Sequence, residues 1–485
     1  MPYSINDEVY QIDDPALPAA LRNAYEEHKR PLCLCVPNGL PMYVAHAYNR
    51  YLLKRMPGTG DLHSADCESF ESFDVSAGLT NLQDAGAVKE DPDNGTLLLR
   101  FGFRLTSSGK QAQQERVESE STSAKTDGGK LSLRGLLDLL WTKAKFNTWK
   151  PGFLGKRNWN VIHHYLMNEL ALMRTGSTDM TSVLYVPPFF NKDEKLRQQT
   201  ERTEFYADTR GSRESNKKLK MLLGEIKIIR PLREGEALVF RHVPERQFVL
   251  PVDLDRRMRK RYQSLLELWS SSTDSHLIAL CTLGVSGSGL YIIDELTLML
   301  VDKNWLPYER QEDADLTQLL VDQQRSFTKP MYCTRPRTEA LPMASLHDTG
   351  LPEYNFFLYI DEKTLKHSSI DHYIAACGPM ADKFSCVWTA AVSPMPPIPP
   401  KGSLASLASE LREHRVTSHT IAEEDDGSEP HVDEASHVET ADEEAESLKV
   451  HYGADEEPDS VASPAWIIHG DEEDDLAGTL PREEV

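Results

Sequence analysis

Cys33-Leu34-Cys35 and, further on, His63-Ser64-Ala65-Asp66-Cys67 gather three of the seven cysteines and one of the 16 histidines into a single short window. Residues i and i+2 of an extended strand point to the same side, so both thiols of the first pair can face one ion. His63 and Cys67 are four apart and share a face where their segment turns helically. Three thiolates and one imidazole make a closed tetrahedral set, the ligand count of structural zinc rather than of a catalytic site with an open position. Between the half-sites, Pro41 to Ala45 and Arg50 to Lys54 read as a hairpin with His46 to Asn49 at its turn, and its closure would bring the two halves together. The same residues also fit buried apolar thiols beside a surface histidine. A disulfide framework is not expected, because Cys281, Cys333, Cys377 and Cys386 are scattered and the total is odd.

Outward from this window, 485 residues are enough for two or three domains with cores of their own. Met1 to Tyr10 carries Asp7 and Glu8 where a signal peptide has a basic start and an apolar run. The most apolar long stretch, Gly289 to Val301, is too short for a membrane span and is interrupted by Asp294 and Glu295. A cytoplasmic protein with reduced thiols and no membrane contact is the expectation. The net charge of −23 belongs to one end: residues 401–485 hold 25 acidic and 5 basic residues, leaving 51 acidic against 48 basic in the first 400. The body is nearly neutral and does not by itself repel nucleic acid.

The patterning predicts an α+β multidomain chain in five parts. Residues 1–105 form a β-rich zinc-hairpin module, with a helix around Pro18 to Lys29 and a strand on which Leu97, Leu99, Phe101, Phe103 and Leu105 share one face. Residues 106–130, rich in Ser, Gln, Glu and Lys, read as a flexible linker. Residues 131–220 read as helix-turn-helix or winged-helix-like. Leu133, Leu136, Leu137, Leu140 and Trp141 mark the first helix, Pro151 and Gly152 break the chain, and Trp159, Ile162, Leu166, Leu170 and Met173 mark the second. Val183 to Pro187 is the expected wing strand. Residues 221–395 read as an α/β domain, with strands at 222–229, 237–242 and 247–250, a buried hairpin at 277–283 and 290–301, and a helix at 313–325. From residue 396 the acidic composition predicts a disordered tail.

Lys143, Lys145, Lys150, Lys156 and Arg157 accompany the two predicted helices, with no acid from Trp141 to Asn168. Phosphate contacts need clustered cations on a rigid element, so these five are the candidate nucleic-acid-binding residues. Ordinary solvated lysines would look the same. The helix bearing Arg256, Arg257, Arg259, Lys260 and Arg261 is a second candidate.

Several stretches resemble one family. Pro31 to Cys35, Met42 to Ala45, Leu53 to Gly58, His63 and Cys67 are similar to the opening of the bacterial DUF1173 proteins, and the likeness continues in Arg134 to Leu137, Leu140 to Trp149, Gly155 to Trp159, Leu184 to Pro187, Trp305 to Pro307 and Arg325 to Pro330. It spans roughly residues 30 to 390 and leaves out the acidic tail. The family is of unknown function and typically encoded on plasmids and integrative elements, so the resemblance implies a setting on mobile DNA and no particular activity.

Other signals are weaker. Arg325 to Lys329 followed by Pro352, Glu353 and the apolar strand 354–360 is similar in outline to nuclease-like folds, but the next expected strand, Tyr373 to Gly378, supplies neither the acid nor the lysine that such metal-dependent chemistry needs. Gly284 to Gly289 lacks the Lys-Ser/Thr of a phosphate loop and reads as a hairpin turn. His163 and His164 lack a zinc-protease pattern. No catalytic residue is assigned. The expectation is a non-enzymatic, zinc-stabilised nucleic-acid-binding protein accessory to a mobile element; the alternatives are a scaffold for other element-encoded proteins and a divalent-metal nuclease.

Overall fold

Asn6 and Asp7 both have positive φ, at 51° and 66°, the backbone of a tight hairpin turn that joins β1 (Pro2–Ile5) to β2 (Glu8–Gln11). In this computed structural model, residues 1–47, 50–64, 66–71, 79, 82–92, 95–107, 129–210, 217–233, 235–331, 342–350, 354–359, 385–389, 394–402 and 451–452 are described. Helix α1 (Leu17–Glu26) buries Leu17, Ala20, Leu21 and Ala24, an i, i+3, i+4, i+7 stripe, against a sheet of order β2, β1, β3 (Leu32–Cys33), β4 (Leu40–Ala47), β5 (Arg50–Arg55). The expected hairpin is present, with Met42 opposite Arg55 and Ala47 opposite Arg50. The two-residue strand His451–Tyr452 lies along β5.

The strand expected through Leu105 ends at Leu99: β7 (Thr96–Leu99) pairs with β6 (Val88–Asp91), and beyond it Phe101 makes only a bridge to Leu131. Phe101 and Phe103 stack at 4.6 Å and stay half-buried, so the alternation survives without a partner strand. Both predicted middle helices form. Ser132 caps α2 (Leu133–Lys143) by accepting from Gly135 N–H, and Asn158 caps α3 (Trp159–Leu170) by accepting from Val161 N–H. They are not a helix-turn-helix. Every residue of α2 from Leu133 to Thr142 is buried, and what departs from that motif is the connection, too long for its short turn. The connection contains the strand Thr148–Trp149 and a 3-10 turn at Pro151–Phe153. The expected wing is instead the strand Leu184–Tyr185, parallel to Met221 and Leu222 of a larger sheet.

That larger sheet closes on itself. Lys220–Pro231 pairs with Glu236–Phe240, which pairs with Val243–Leu250; the third strand runs parallel to Tyr291–Val301, which pairs with His276–Val285, and this last strand returns to Lys220–Pro231. Two helices, Val252–Arg261 and Gln263–Ser271, connect the third strand to the fourth and send Met258, Tyr262 and Leu265 into the barrel core. A closed five-stranded path with one parallel pair and helices between its third and fourth strands has the arrangement of an oligonucleotide/oligosaccharide-binding barrel. Residues 220–301 are thus a β-barrel with connecting helices, where the sequence pattern had suggested α/β. Alternation carries the two-sided burial: Leu277, Ala279, Cys281 and Leu283 fill the barrel, while Ile278 and Leu280 join the cluster around α2. The Gly284 to Gly289 segment is the predicted hairpin turn, with Gly289 at φ 84°.

The core around α2 takes side chains from Tyr43 and Leu52 of the first sheet, Leu97, Ile162, Met221 and Trp305, so one apolar cluster crosses the expected divisions near 105, 131 and 220. Buried ion pairs follow the same course: Lys54 lies 3.3 Å from Glu169, and Lys143 lies 3.8 Å from Glu90. The last sheet has the order Ser385–Thr389, Tyr354–Tyr359, Ala344–Leu346, Phe327–Thr328, Thr148–Trp149, so a strand from the middle region completes it. Residues 108–128 of the expected linker, Glu353, the strand expected at 373–378, and the acidic tail beyond Gly402 except His451–Tyr452 lie outside the described residues. No helix among the described residues is long and apolar enough to cross a membrane.

Candidate metal centre

Cys33 ends β3, and its neighbours decide where its thiol points. Tyr3 faces it across the β1–β3 ladder, Leu40 lies opposite on β4, and the side chain is buried in the α1 core. Cys35 follows two residues later at the rim and is half-buried. The second half-site sits on a short turn after β5: Gly60–Leu62 is a 3-10 helix, His63 leaves it with extended backbone, and Cys67 N–H donates to Ser64 O. Gly60 is required here by close approach, because a side chain would run into Arg55 and Glu71.

The structure brings all four predicted ligands together. One atom from each of Cys33, Cys35, His63 and Cys67 lies within 4.8 Å of the others. Cys33 Sγ is 3.6 Å from Cys67 Sγ, and His63 Nδ1 is 3.2 Å from Cys35 Sγ and 3.8 Å from Cys67 Sγ. Tetrahedral zinc with bonds near 2.3 Å to sulfur sets sulfur–sulfur edges of about 3.8 Å, so the donor set fits such an ion. Hydrogen bonding to Cys33 and the approach of His63 pull the Cys67 thiol down to about 3, against burial, while the contact with Cys67 and burial push Cys33 up. Burial likewise raises Cys35. The site therefore favours one thiolate unaided, and a divalent cation would draw protons from the other two. Ser69 N–H donates to Cys67 Sγ at 3.3 Å, a backbone contact that steadies the sulfur. His63 Nε2 is buried without a hydrogen-bond partner among the described residues, which leaves Nδ1 as the ring nitrogen turned to the cluster.

The segment carrying His63 and Cys67 also holds the modules together. Arg55 pairs with Glu71 and donates to Ser69 O at 3.4 Å, Lys145 donates to Phe70 O at 2.9 Å, and the Phe70 ring meets His347 edge-on at 5.0 Å. A metal there would anchor a strap that touches the first sheet, the middle region and the last sheet.

The five cations singled out along the sequence are separated by the fold. Lys143 is buried against Glu90, and Lys145 reaches Phe70 O with Glu71 3.7 Å away. Arg157 donates to the carbonyls of Phe146, Asn304, Lys145 and Thr148 at 3.1, 3.2, 3.1 and 2.5 Å and lies over the rings of Phe146, Trp149 and Phe153. Burial lowers its pKa to about 10, which keeps it charged near neutrality. Lys150 is half-buried and Lys156 exposed. In the second basic candidate, Arg256 pairs with Asp253 at 2.8 Å, Arg259 with Asp255 at 3.1 Å and with Glu236, and Arg261 lies over Tyr262.

A polar cluster went unread in the sequence. Buried Glu225 accepts from Arg241 at 2.7 Å and pairs with His276 Nδ1 at 2.9 Å; these two partners hold its pKa low against burial. His276 stacks on Trp305 at 4.3 Å, and Trp305 has a φ of 63°, uncommon for a bulky side chain. His242 stacks on Trp159 at 4.9 Å. Barrel closure assembles this group from residues far apart in the chain, and no local spacing announces it.

A family model described as a protein of unknown function matches residues 3–390. No curated protein and no solved structure matches the chain.

Proposed function

The chain belongs to the DUF1173 family, whose description assigns no activity, and from its own residues we propose that it is a non-enzymatic, zinc-stabilised, nucleic-acid-binding protein of the cytoplasm, accessory to a bacterial mobile genetic element. The closed five-strand barrel at 220–301 carries this reading, because its strand arrangement is the one that oligonucleotide-binding barrels use. Fold alone does not fix function, so the charge must agree. The first 400 residues are close to neutral, and basic side chains can gather on one face without strong overall repulsion. Lys150 and Lys156, the members of the linear cluster left toward the surface, would extend the contact. Zinc is the metal chosen because three thiolates and one imidazole at these separations suit it, and its role is structural because four protein ligands close the coordination shell. The mobile-element setting follows from the family resemblance.

A mobility shift across a salt series tests the reading. Binding should weaken steeply between about 50 and 200 mM salt, because releasing phosphate counterions into a more concentrated solution gains less entropy. Retention of one protein partner from the host with no shift of DNA or RNA at any salt would favour the scaffold instead. The exposed apolar side chains of Leu154 and Leu196 are the observation on that side.

The acidic tail gives a second expected result. Tethered close to a basic surface, it competes with phosphate at high effective concentration. Removing residues 401–485 should tighten nucleic-acid binding, most at low salt where screening is weak. Equal affinity of the two forms at low salt would reject autoinhibition.

A further inference from the structure

We propose that the acidic tail closes on the body by one specific contact: its apolar run Trp466-Ile467-Ile468 seats on the exposed turn 150–156, between Lys150 and Lys156. The consequence for phosphate binding rests on the nucleic-acid reading above; the contact itself stands without it.

The turn presents a fixed tip. Phe153 and Leu154 are 36% and 63% exposed, and a Cβ added at Gly152 or Gly155 would meet nothing within 4 Å. Beneath them the backbone is tied: Phe153 N–H donates to Lys150 O at 2.9 Å and Lys156 N–H to Phe153 O at 3.0 Å. Arg157, held by its four carbonyls, lies 5.1 Å from the centre of the Phe153 ring. Tyr165 of α3, 41% exposed, extends the apolar surface through Phe146, whose ring it meets edge-on at 6.2 Å. A surface fixed in advance loses little entropy when a partner settles on it. Lys150 and Lys156 border the tip, and neither has an acidic partner among the described residues.

Sequence and charge name the occupant. Beyond residue 400 the chain has one tryptophan, Trp466. With Ile467 and Ile468 it stands between Asp455, Glu456, Glu457 and Asp459 on one side and the run Asp471 to Asp475 on the other. These tail residues lie outside the described ones. An apolar centre with acids on both sides is the complement of an apolar tip with lysines on both sides.

The place where the tail begins brings the two together. Trp149 pairs with Phe327, and Phe327 with Leu346, so Lys150, Ser326 and His347 emerge at the same end of the last sheet. At that end Arg325 donates to Pro399 O at 2.6 Å, and Gly402 N–H donates to Asp348 O at 2.8 Å. The tail therefore leaves the body two strand spacings from the turn, about 10 Å across the sheet. From Gly402 to Trp466 is about 64 residues, and an unstructured chain of that length spans roughly 40–50 Å on average, ample for this distance. Tethering then sets an effective concentration on the order of millimolar, enough for a small contact to form within one molecule. On its way the tail meets β5 at His451–Tyr452, and β5 reaches the same region through Arg55 and Glu71, the latter 3.7 Å from Lys145.

Photocrosslinking of the full chain tests the contact. With a benzophenone amino acid in place of Trp466, irradiation of the dilute protein should join position 466 to residues 150–156 or to Tyr165 of the same molecule. Leu154→Ala, at an exposed site where the fold tolerates it, should lower that yield by about half or more, because the contact loses the burial of one leucine. Absent or scattered crosslinks, or an undiminished yield in a folded Leu154→Ala chain, would overturn the proposed seat. Crosslinks formed only between molecules, and lost on dilution, would give the seat to a second copy and overturn the closure within one chain. The consequence has its own readout. Trp466→Ala in the full chain should tighten nucleic-acid binding at low salt by about three-fold or more, as a tethered competitor is released. Adding Leu154→Ala should tighten it no further, because either change opens the same contact; additive gains would overturn the link between contact and binding. If no form binds nucleic acid, that reading falls, and the crosslinks still decide the contact.

Discussion

Removing the metal from the Cys33, Cys35, His63 and Cys67 centre is expected to loosen β3 and the 63–71 strap together, with the barrel strands unaffected. Structural zinc contributes about 10–16 kcal/mol to the folding of small metal-dependent peptides. Here the α1 core supplies part of the order on its own, so the expected loss is smaller than that and still larger than any single side chain in the module provides. The purified chain should carry about one zinc, Cys67→Ser should lose it, and acidification should release it as the ligands take up protons. Amide exchange should then accelerate at 32–35 and 63–71, and at Lys145, whose side chain grips Phe70 O at 2.9 Å. Strands 276–301 should keep their protection, since the clusters that hold their side chains contain none of the metal ligands. A metal-free wild-type chain with unaltered exchange in the strap would show that these are simply buried thiols.

Arg157→Ala should be the most damaging single substitution among the basic residues, at about 3–5 kcal/mol in a urea melt. The change removes the guanidinium donors from four carbonyl oxygens, of which that of Lys145 also accepts from Thr148 N–H, and removes its packing on three rings. Arg157→Lys should recover only part of the loss, because an ammonium has three donors and no planar fork. Lys156→Ala, at an exposed position, should stay within about 0.5 kcal/mol of wild type. Equal stability of all three variants would return Arg157 to the surface cluster that its place in the sequence suggested.

The contrast between Arg157 and Lys156 shows what a linear charge cluster conceals. Adjacent in sequence, they read alike, and the absence of nearby acids along the chain is not an absence of nearby acids in space: Lys143 meets Glu90 of β6 and Lys145 meets Glu71 of the 63–71 strap only in the folded chain. The metal ligands were legible for the opposite reason. Each half-site is a local spacing, and the hairpin between them, with Met42 opposite Arg55, needs only neighbouring strands to close. Helices α2 and α3 were legible by period for the same reason, and so were the hairpin turn at Gly284 to Gly289 and the strands on either side of it.

The sequence by itself thus determined the elements whose signals span a few residues: the Cys/His constellation, the amphipathic helices, the hairpins, and the concentration of acid after residue 400. Tertiary structure alone decided which strands met. The parallel pairing of Val243–Leu250 with Tyr291–Val301, the return of His276–Val285 onto Lys220–Pro231, and the parallel seat of Leu184–Tyr185 turned an expected wing and an α/β domain into a closed barrel and its edge. Alternation along a strand records which side chains share a face, and it carries no record of the partner strand, so barrel closure could be settled only by the folded chain.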